Sequence, residues 1–432
     1  MKVLVVGSGG REHAIVDSIA RDKDVMVYCA PGNAGIAGQA QVVEIKATDI
    51  AALYKFVRDN KVDLTVVGPE QPLAAGIVDA FQDNKKAIFG PRRLAARLET
   101  SKVFSKEFMK RWKIPAAESK AFSSRDRREL SAYLSGSKYP LVLKADGLAA
   151  GKGVSIVNSH KEAEGEVDKF FVKRIFGESG ERIVVEEFMT GIEASVFAIT
   201  DGLAYVVLPP AQDHKRIGDG DTGKNTGGMG SFAPTPFLDE AMMQIVKKEI
   251  IEKVIQGTSE EGFPYSGCLY CGLMITKEGP KVVEFNARLG DPETQTILQL
   301  VDSSFLDMLY FAATKRVQAY KLRVNGAASV CVVAASKGYP DEYEKGKIIT
   351  GLENGLSDTK IFHSGTALSD GKYVTEGGRV LGVTAVDKRG RISAAADLAY
   401  ARLKWTNFDG MYYRRDIAKS AIEFERREKI VK

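Results

Sequence analysis

Over residues 2 to 90, short apolar runs alternate with stretches of helical periodicity. KVLVVG, VMVYCA, VDLTVVG and KAIFG read as buried strands; helices are expected from about Arg11, after the capping pair Thr48-Asp49, and from Leu73. Strict alternation of this kind predicts a doubly wound parallel α/β domain. Ligands of such sheets sit beyond the carboxyl ends of the strands, which here carry GSGGREH, PGNAG and GPEQPL. Three loops are therefore expected to converge on one site.

Pro91 and the polar Glu99-Thr100-Ser101 stretch mark a boundary, and a helix is expected from there through Trp112, ending at Ile114-Pro115. From Pro140 to Tyr205 the pattern is strand, glycine loop, strand, a charged helix from about Lys161, a strand RIVVEEF, and strands around ASVFAIT and LAYVVL. QDHKRIGDGDTGKNTGGMG, ending at Gly230, reads as a long polar loop, and structureless loops of that length usually bind something. A helix near Asp239 to Gln256 precedes a hairpin, GCLYCGLMIT and KVVEFNAR, turning at Lys277 to Pro280. One helix is expected from Thr294 to about Arg316, then the strand ASVCVVAAS, further short strands, and a closing helix around Ala394 to Leu403.

A length of 432 residues suggests two to four domains. With 61 basic against 56 acidic residues and no long basic run, the chain does not look like a nucleic-acid binder, and small phosphorylated ligands suit it better. The start MKVLVVGSGG is too short an apolar run for a signal peptide, and no segment reaches the roughly 18 apolar residues of a membrane span. A cytoplasmic location and no membrane partner are expected. Cys268 and Cys271 form a C-x-x-C, but an odd offset within a strand sends the two thiols to opposite faces, so packing is the better reading than zinc or redox chemistry. His13, His160 and His363 read as structural or surface groups, and Trp112 and Trp405 as packing residues.

Three stretches carry candidate chemistry. Lys144 to Val154, KADGLAAGKGV, resembles a phosphate cradle without Walker A spacing: Gly147 to Lys152 is one residue short, and Gly153 stands where Ser or Thr belongs. It reads as a flap between two strands whose backbone N–H groups can close over phosphates; a glycine-rich hairpin without a ligand accounts equally well for it. IVVEEFMTGIE carries paired glutamates into a turn, as a hinge facing an adenine edge would, with Glu193 in reach of ribose hydroxyls; a solvated strand end is the plainer explanation. In KVVEFNARLGDPE, a period of two places Glu284, Asn286 and Arg288 on one face and Val283, Phe285 and Ala287 on the other. An acid and an amide two positions apart are hard ligands for Mg²⁺, and Arg288 suits the charge on a transferring phosphoryl group. An outward polar stripe is the alternative.

Taken together, these stretches with QDHKR, TGGMG, GGREHA, PGNAG, GPE, GYP, GGRVLGVTA and YYRRDI resemble the ATP-grasp ligases, and more narrowly the phosphoribosylamine:glycine ligase family of purine biosynthesis, over essentially the whole chain. The resemblance implies an N-terminal doubly wound parallel α/β domain (1–101), an ATP-grasp core (102–325) with a mobile flap subdomain at about 120–190, and a small C-terminal mixed β/α domain (326–432). It implies ATP contacts from Lys102, Lys144, Gly147, Gly151, Lys152, Gly153, Glu186, Glu187, Phe188 and Glu193, and Mg²⁺ or Mn²⁺ on Glu284 and Asn286. Gly9, Gly10, Asn33, Pro69 and Glu70 would border the phosphoribosylamine site. Asp213, His214, Lys215, Arg288 and Asp291 would serve glycine and the acyl phosphate, with Arg288, Lys144 and Asp213 as catalytic groups. ATP, glycine and 5-phosphoribosylamine are the implied partners, and the chain is expected to be a monomer or weak homodimer. Two departures stand out: Lys224 where the family loop reads G-P-N-T-G-G, from which altered loop mobility is expected, and Leu289 where Phe is common.

Other classes fit less well. Gly7-x-Gly9 suggests an NAD-dependent oxidoreductase, but Glu12 stands where the dinucleotide fingerprint wants Gly or Ala, and no acidic residue ends the second strand. A non-catalytic nucleotide-binding module would not need the EFNAR face. A formate-dependent transformylase of the same superfamily would be expected to lack TGGMG.

Overall fold

The computed structural model describes residues 1–148 and 153–431. Its first sheet is parallel, in the order β3-β2-β1-β4-β5, from β1 (Lys2–Gly7), β2 (Met26–Pro31), β3 (Gln41–Val42), β4 (Leu64–Val67) and β5 (Ile88–Phe89). Helices α1 (Gly10–Ile19), α2 (Ile50–Asp59), α3 (Glu70–Ala74) and α4 (Ile77–Asp83) connect the strands. The uninterrupted apolar run of β1 follows from burial on both faces: Val3 and Val5 pack with Ile15, Leu4 and Val6 with Leu53 and Val57. Asp49 caps α2 by accepting the Ala52 N–H at 3.0 Å. The helix expected from Leu73 is two short helices, broken where Gly76 takes a left-handed φ of 88°.

After α5 (Arg93–Thr100) and α6 (Lys102–Arg111) come two antiparallel layers. One has the order β6-β9-β7-β8, from β6 (Ser119–Ser123), β7 (Leu141–Ala145), β8 (Val154–Val157) and β9 (Arg182–Glu187). Its apolar face is covered by α7 (Arg127–Gly136) and α8 (His160–Phe171) through Leu130, Leu134, Val167 and Phe170. The glycine stretch thus links paired antiparallel strands, as its spacing predicts.

The chain then enters β10 (Ile192–Thr200) and β11 (Tyr205–Val207). Residues 213–230, expected to form a loop, instead contain β12 (Gln212–Asp213), a hairpin of β13 (Arg216–Gly218) and β14 (Thr222–Asn225), and β15 (Gly230–Ala233). Helices α9 (Glu240–Val246) and α10 (Glu252–Glu260), joined by a π turn at Lys247–Ile251, lead to β16 (Gly267–Thr276) and β17 (Gly279–Asn286). The second layer has the order β11-β10-β16-β17. Cys268 packs toward the first domain and Cys271 toward α6, α9 and α10, on opposite faces as their offset requires. Where one helix was expected after Thr294 there are two, α11 (Glu293–Ile297) and α12 (Phe305–Ala313), because Ser304 starts a new helix by accepting the Asp307 N–H at 3.0 Å.

The last region contains β18 (Ala328–Ser336), β19 (Thr359–His363), the hairpin β20 (Thr366–Ser369) and β21 (Lys372–Thr375), β22 (Arg379–Asp387), α13 (Ile392–Leu403), β23 (Met411–Tyr412) and α14 (Lys419–Val431). The sequence pattern stopped at α13 and missed α14. Its sheet runs β12-β15-β18-β22-β19, with β23 beside β18, so two strands from residues 212–233 complete it. Among the described residues no helix is long and apolar enough to cross a membrane.

Candidate active site

The flap is rooted by an acid that sequence reasoning passed over. Asp146, just after β7, accepts from Ser101 Oγ (2.9 Å) and the Val103 N–H (3.1 Å) at the start of α6, and pairs with Arg182 at 2.5 Å. Lys102 Nζ donates to the Gly147 carbonyl at 3.2 Å, and the Gly153 carbonyl accepts the Ala145 N–H at 2.8 Å. Both ends of the glycine stretch are thereby fixed. Gly151 and Lys152 lie outside the described residues.

Behind the flap, β9 buries Glu186 between two lysines: its carboxylate is 3.0 Å from Lys144 Nζ and 2.9 Å from Lys106 Nζ. Lys144 also donates to the Val283 carbonyl at 3.1 Å, joining the two layers. Burial lowers the ammonium pKa of Lys102 and Lys106, opposed by Glu284 and Glu186 respectively. Glu186, expected at an adenine edge, is thus the lysines' counter-ion here. Glu187 accepts the Glu118 N–H at 3.1 Å, and Phe188 is exposed at the following turn.

Across from them, the period of β17 is interrupted. Gly272 faces Glu284 while Leu273 faces Val282, leaving Val283 as an extra residue in a β-bulge. Val282, not Val283, shares the buried face with Phe285, and this corrects the simple alternation read from the sequence. The bulge frees the Val283 carbonyl for Lys144. Glu284 and Asn286 remain on the open face, and among the described residues neither side chain has a hydrogen-bond or ion-pair partner. Burial works against ionising Glu284, but Lys215, Lys144, Lys102 and Arg288 together hold its carboxyl below the ordinary range. An ionised oxygen and an amide oxygen without partners fit a hard divalent ion. No cluster of three or more His, Cys, Asp or Glu surrounds them among the described residues, so such an ion would need oxygen ligands from a substrate.

Lys215 pairs with Glu193 at 2.9 Å, which places Glu193, expected on ribose, beside the acidic group that includes Asp213. Burial pushes the Asp213 carboxyl up to about 8; Lys215 pulls it down, and Glu293, Glu193 and Glu284 push it further up. Glu293, not singled out from the sequence, is buried and accepts from Ser195 Oγ at 3.2 Å. His214 turns toward the C-terminal region, where its Nε2 accepts the Ala418 N–H at 3.0 Å.

The loops of the first sheet converge beside this cluster. Glu12 accepts the Gly9 N–H at 2.6 Å and Arg11 Nε at 2.6 Å, and a side chain at Gly68 would collide with its carboxylate. Glu12 therefore fills the turn where a dinucleotide pyrophosphate would need room. Asn33 donates to the Ser8 and His363 carbonyls, both at 2.8 Å, holding the PGNAG loop to its neighbours. Gly10 begins α1, and Pro69 precedes α3, whose first residue, Glu70, meets Arg288 Nε at 3.3 Å. Arg288 is also 3.0 Å from Glu99, whose other oxygen accepts the Ala287 N–H at 2.7 Å. Asp291 pairs with Arg379 at 2.9 Å and accepts from Gln295 at 2.8 Å. Arg379 also donates to the Gly227 and Asp291 carbonyls, at 2.5 and 2.9 Å, so β22 fixes the TGGMG turn. Lys106, Glu99, Arg379 and Asp146 escaped the sequence reading because their partners are distant in the chain, although Lys102 and Lys106 share one helix face by their spacing.

A clamp built of two antiparallel layers, set beside a doubly wound domain, defines the class: an ATP-grasp ligase. Models of the N domain, the ATP-grasp (A) domain and the C domain of phosphoribosylglycinamide synthetase match residues 1–99, 100–294 and 329–420. A phosphoribosylamine–glycine ligase of Caldanaerobacter subterraneus subsp. tengcongensis is 47% identical over 420 residues, 97% of this chain and 99% of its own length. One from Chlorobaculum tepidum is 47% identical over 98% of this chain and 100% of its own. The crystal structure of the Thermotoga maritima phosphoribosylamine–glycine ligase superposes with a TM-score of 0.83 at 35% identity, covering 97% of this chain and 100% of that one. The chain belongs to the phosphoribosylglycinamide synthetase family.

Proposed function

We propose that this chain joins glycine to 5-phosphoribosylamine at the expense of ATP, giving glycinamide ribonucleotide, ADP and phosphate. The observation that carries this reading is the Glu284 and Asn286 pair, without partners among the described residues, facing lysines of the opposite wall and opening toward the arginine-lined crevice beside the first domain. That arrangement brings a triphosphate, a carboxylate and a phosphorylated amine to one place.

A carboxylate is a poor electrophile, so a glycine carboxylate oxygen first attacks the γ-phosphorus, and the bond to ADP breaks to leave glycyl phosphate. The amine of phosphoribosylamine then attacks the carbonyl carbon, phosphate departs, and the nitrogen loses a proton. Lys102 and Lys144 would face the nucleotide phosphates. Arg288, oriented by Glu70 and Glu99, faces the charge on the transferring group. Asp213, its carboxyl raised by burial toward neutral pH, would take up the amine's proton when it is ionised. Glu284 and Asn286 would hold Mg²⁺ or Mn²⁺, which would neutralise phosphate charge. The flap excludes water that would hydrolyse the acyl phosphate. The domain limits 1–101, 102–325 and 326–432 describe this division of labour, with β12 and β15 lent to the last sheet. Four buried free thiols suit a reducing compartment, and we place the enzyme in the cytoplasm.

Release of ADP by the purified protein tests the assignment. Turnover is expected only when glycine and phosphoribosylamine are both supplied; comparable turnover with formate and glycinamide ribonucleotide contradicts it.

A further inference from the structure

Lys106 lies one helical turn beyond Lys102 on α6 and is almost fully enclosed, its side chain 8% exposed. Among the described residues its ammonium has one ionic partner, the Glu186 oxygen at 2.9 Å, and no hydrogen-bond partner. The second Glu186 oxygen is 3.0 Å from Lys144 Nζ, and this carboxylate is 2% exposed. One buried acid is therefore shared by two cations, of which one lies on β7 next to the root of the flap.

A buried carboxylate stripped of its counter-ion is strongly destabilised. Were Lys144 the only partner of Glu186, moving its ammonium toward a nucleotide phosphate would leave such a charge behind. With Lys106 on the other oxygen, the carboxylate stays neutralised whatever Lys144 does. Resting on the reading that nucleotide binds between the two layers, we propose that Lys106 is a positioning residue: by retaining Glu186, it leaves Lys144 available to the phosphates. Lys102, held separately by the Gly147 carbonyl, does not depend on this arrangement.

The test is a double-mutant cycle read by calorimetric binding of a non-hydrolysable ATP analogue with Mg²⁺ to the full chain. Lys106→Met keeps the apolar stem and removes the charge; in the otherwise native protein it should weaken binding by about tenfold or more. Made together with Glu186→Gln, where no carboxylate remains to be neutralised, the same substitution should change affinity by less than about threefold relative to Glu186→Gln alone. A simple loss of packing, or a direct contact of Lys106 with nucleotide, would weaken binding equally in both backgrounds. Equal losses, or native affinity in Lys106→Met, overturn the proposal. Absence of analogue binding to the unsubstituted protein removes the nucleotide reading itself, and this inference with it.

Discussion

In the crevice beside the first sheet, cations are committed to acids before any ligand arrives: Arg11 to Glu12, Arg288 to Glu70 and Glu99, Arg379 to Asp291. Between the two β-layers the balance differs. Lys106 and Lys144 share Glu186, Lys102 rests on a backbone carbonyl, and Glu284 and Asn286 stand without partners among the described residues. On the proposed reading, the paired region would hold a substrate in one geometry with little rearrangement. On the same reading, the unpaired region would be completed by the nucleotide and its ion. The difference teaches that substitutions in the crevice should cost stability, whereas those at the open face should cost turnover.

The largest expected effect is at the open face. Glu284→Ala should reduce ADP release by roughly a thousandfold, of the order seen when a principal electrostatic group is removed, while lowering the urea midpoint less than the crevice substitution Arg288→Gln, because no hydrogen bond or ion pair among the described residues ties that carboxylate to the fold. Native activity would erase the distinction between the regions. Arg288→Gln should do what Glu284→Ala does not: with Glu70 and the buried Glu99 left uncompensated, stability should fall by about 3 kcal/mol in urea unfolding, alongside the loss of activity. An unchanged midpoint would show that the crevice pairs do not hold the fold.

A third test uses the contact between the first domain and the C-terminal region. The His13 ring accepts the His363 N–H at 2.9 Å, and burial lowers the two pKa values to about 3 and about 4. Unfolded histidines protonate near 6.5, so below that pH the unfolded chain binds more protons than the native one. The stability from keeping these rings neutral is complete above 6.5 and is lost as pH falls toward 4, at up to about 1.4 kcal/mol per pH unit for each ring. His13→Asn should make this slope shallower in chemical denaturation; an unaltered slope would place the acid sensitivity elsewhere. The smallest effect is expected at Lys224, whose exposed pair with Asp341 at 2.6 Å ties the β13–β14 hairpin to the C-terminal region. Lys224→Ala should change stability by less than about 1 kcal/mol and leave turnover intact. A larger loss would mean that this pair, rather than the buried Arg414, sets the position of the hairpin.

The sequence disclosed elements set by local period better than charges set by distant partners. The strand-ending glycine loops, the flap between two strands and the EFNAR stripe depend on local period and spacing, which survive in a single chain. The bulge at Val283 does not, because one extra residue in a period-two pattern is invisible until the partner strand is present. Residues 213–230 looked like a loop because their ordering comes from afar: fully buried Arg414 bonds to the Arg216 carbonyl, Asp221 and Asp416, and Asp416 in turn accepts the Gly220 N–H. Glu99, Lys106 and Arg379 were missed in the same way, as charges whose meaning lies in a partner on another element. In the sequence, Glu12 stood out only as the wrong residue for a dinucleotide turn. Its carboxylate, filling that turn, gives the reason.

The most direct test is the structure of the protein with a non-hydrolysable ATP analogue and Mg²⁺. The account predicts a nucleotide held between the two β-layers, with phosphates at Lys102 and Lys144 and the ion on Glu284 and Asn286. A nucleotide seated instead in the crevice by Gly9 and Glu12 would contradict it.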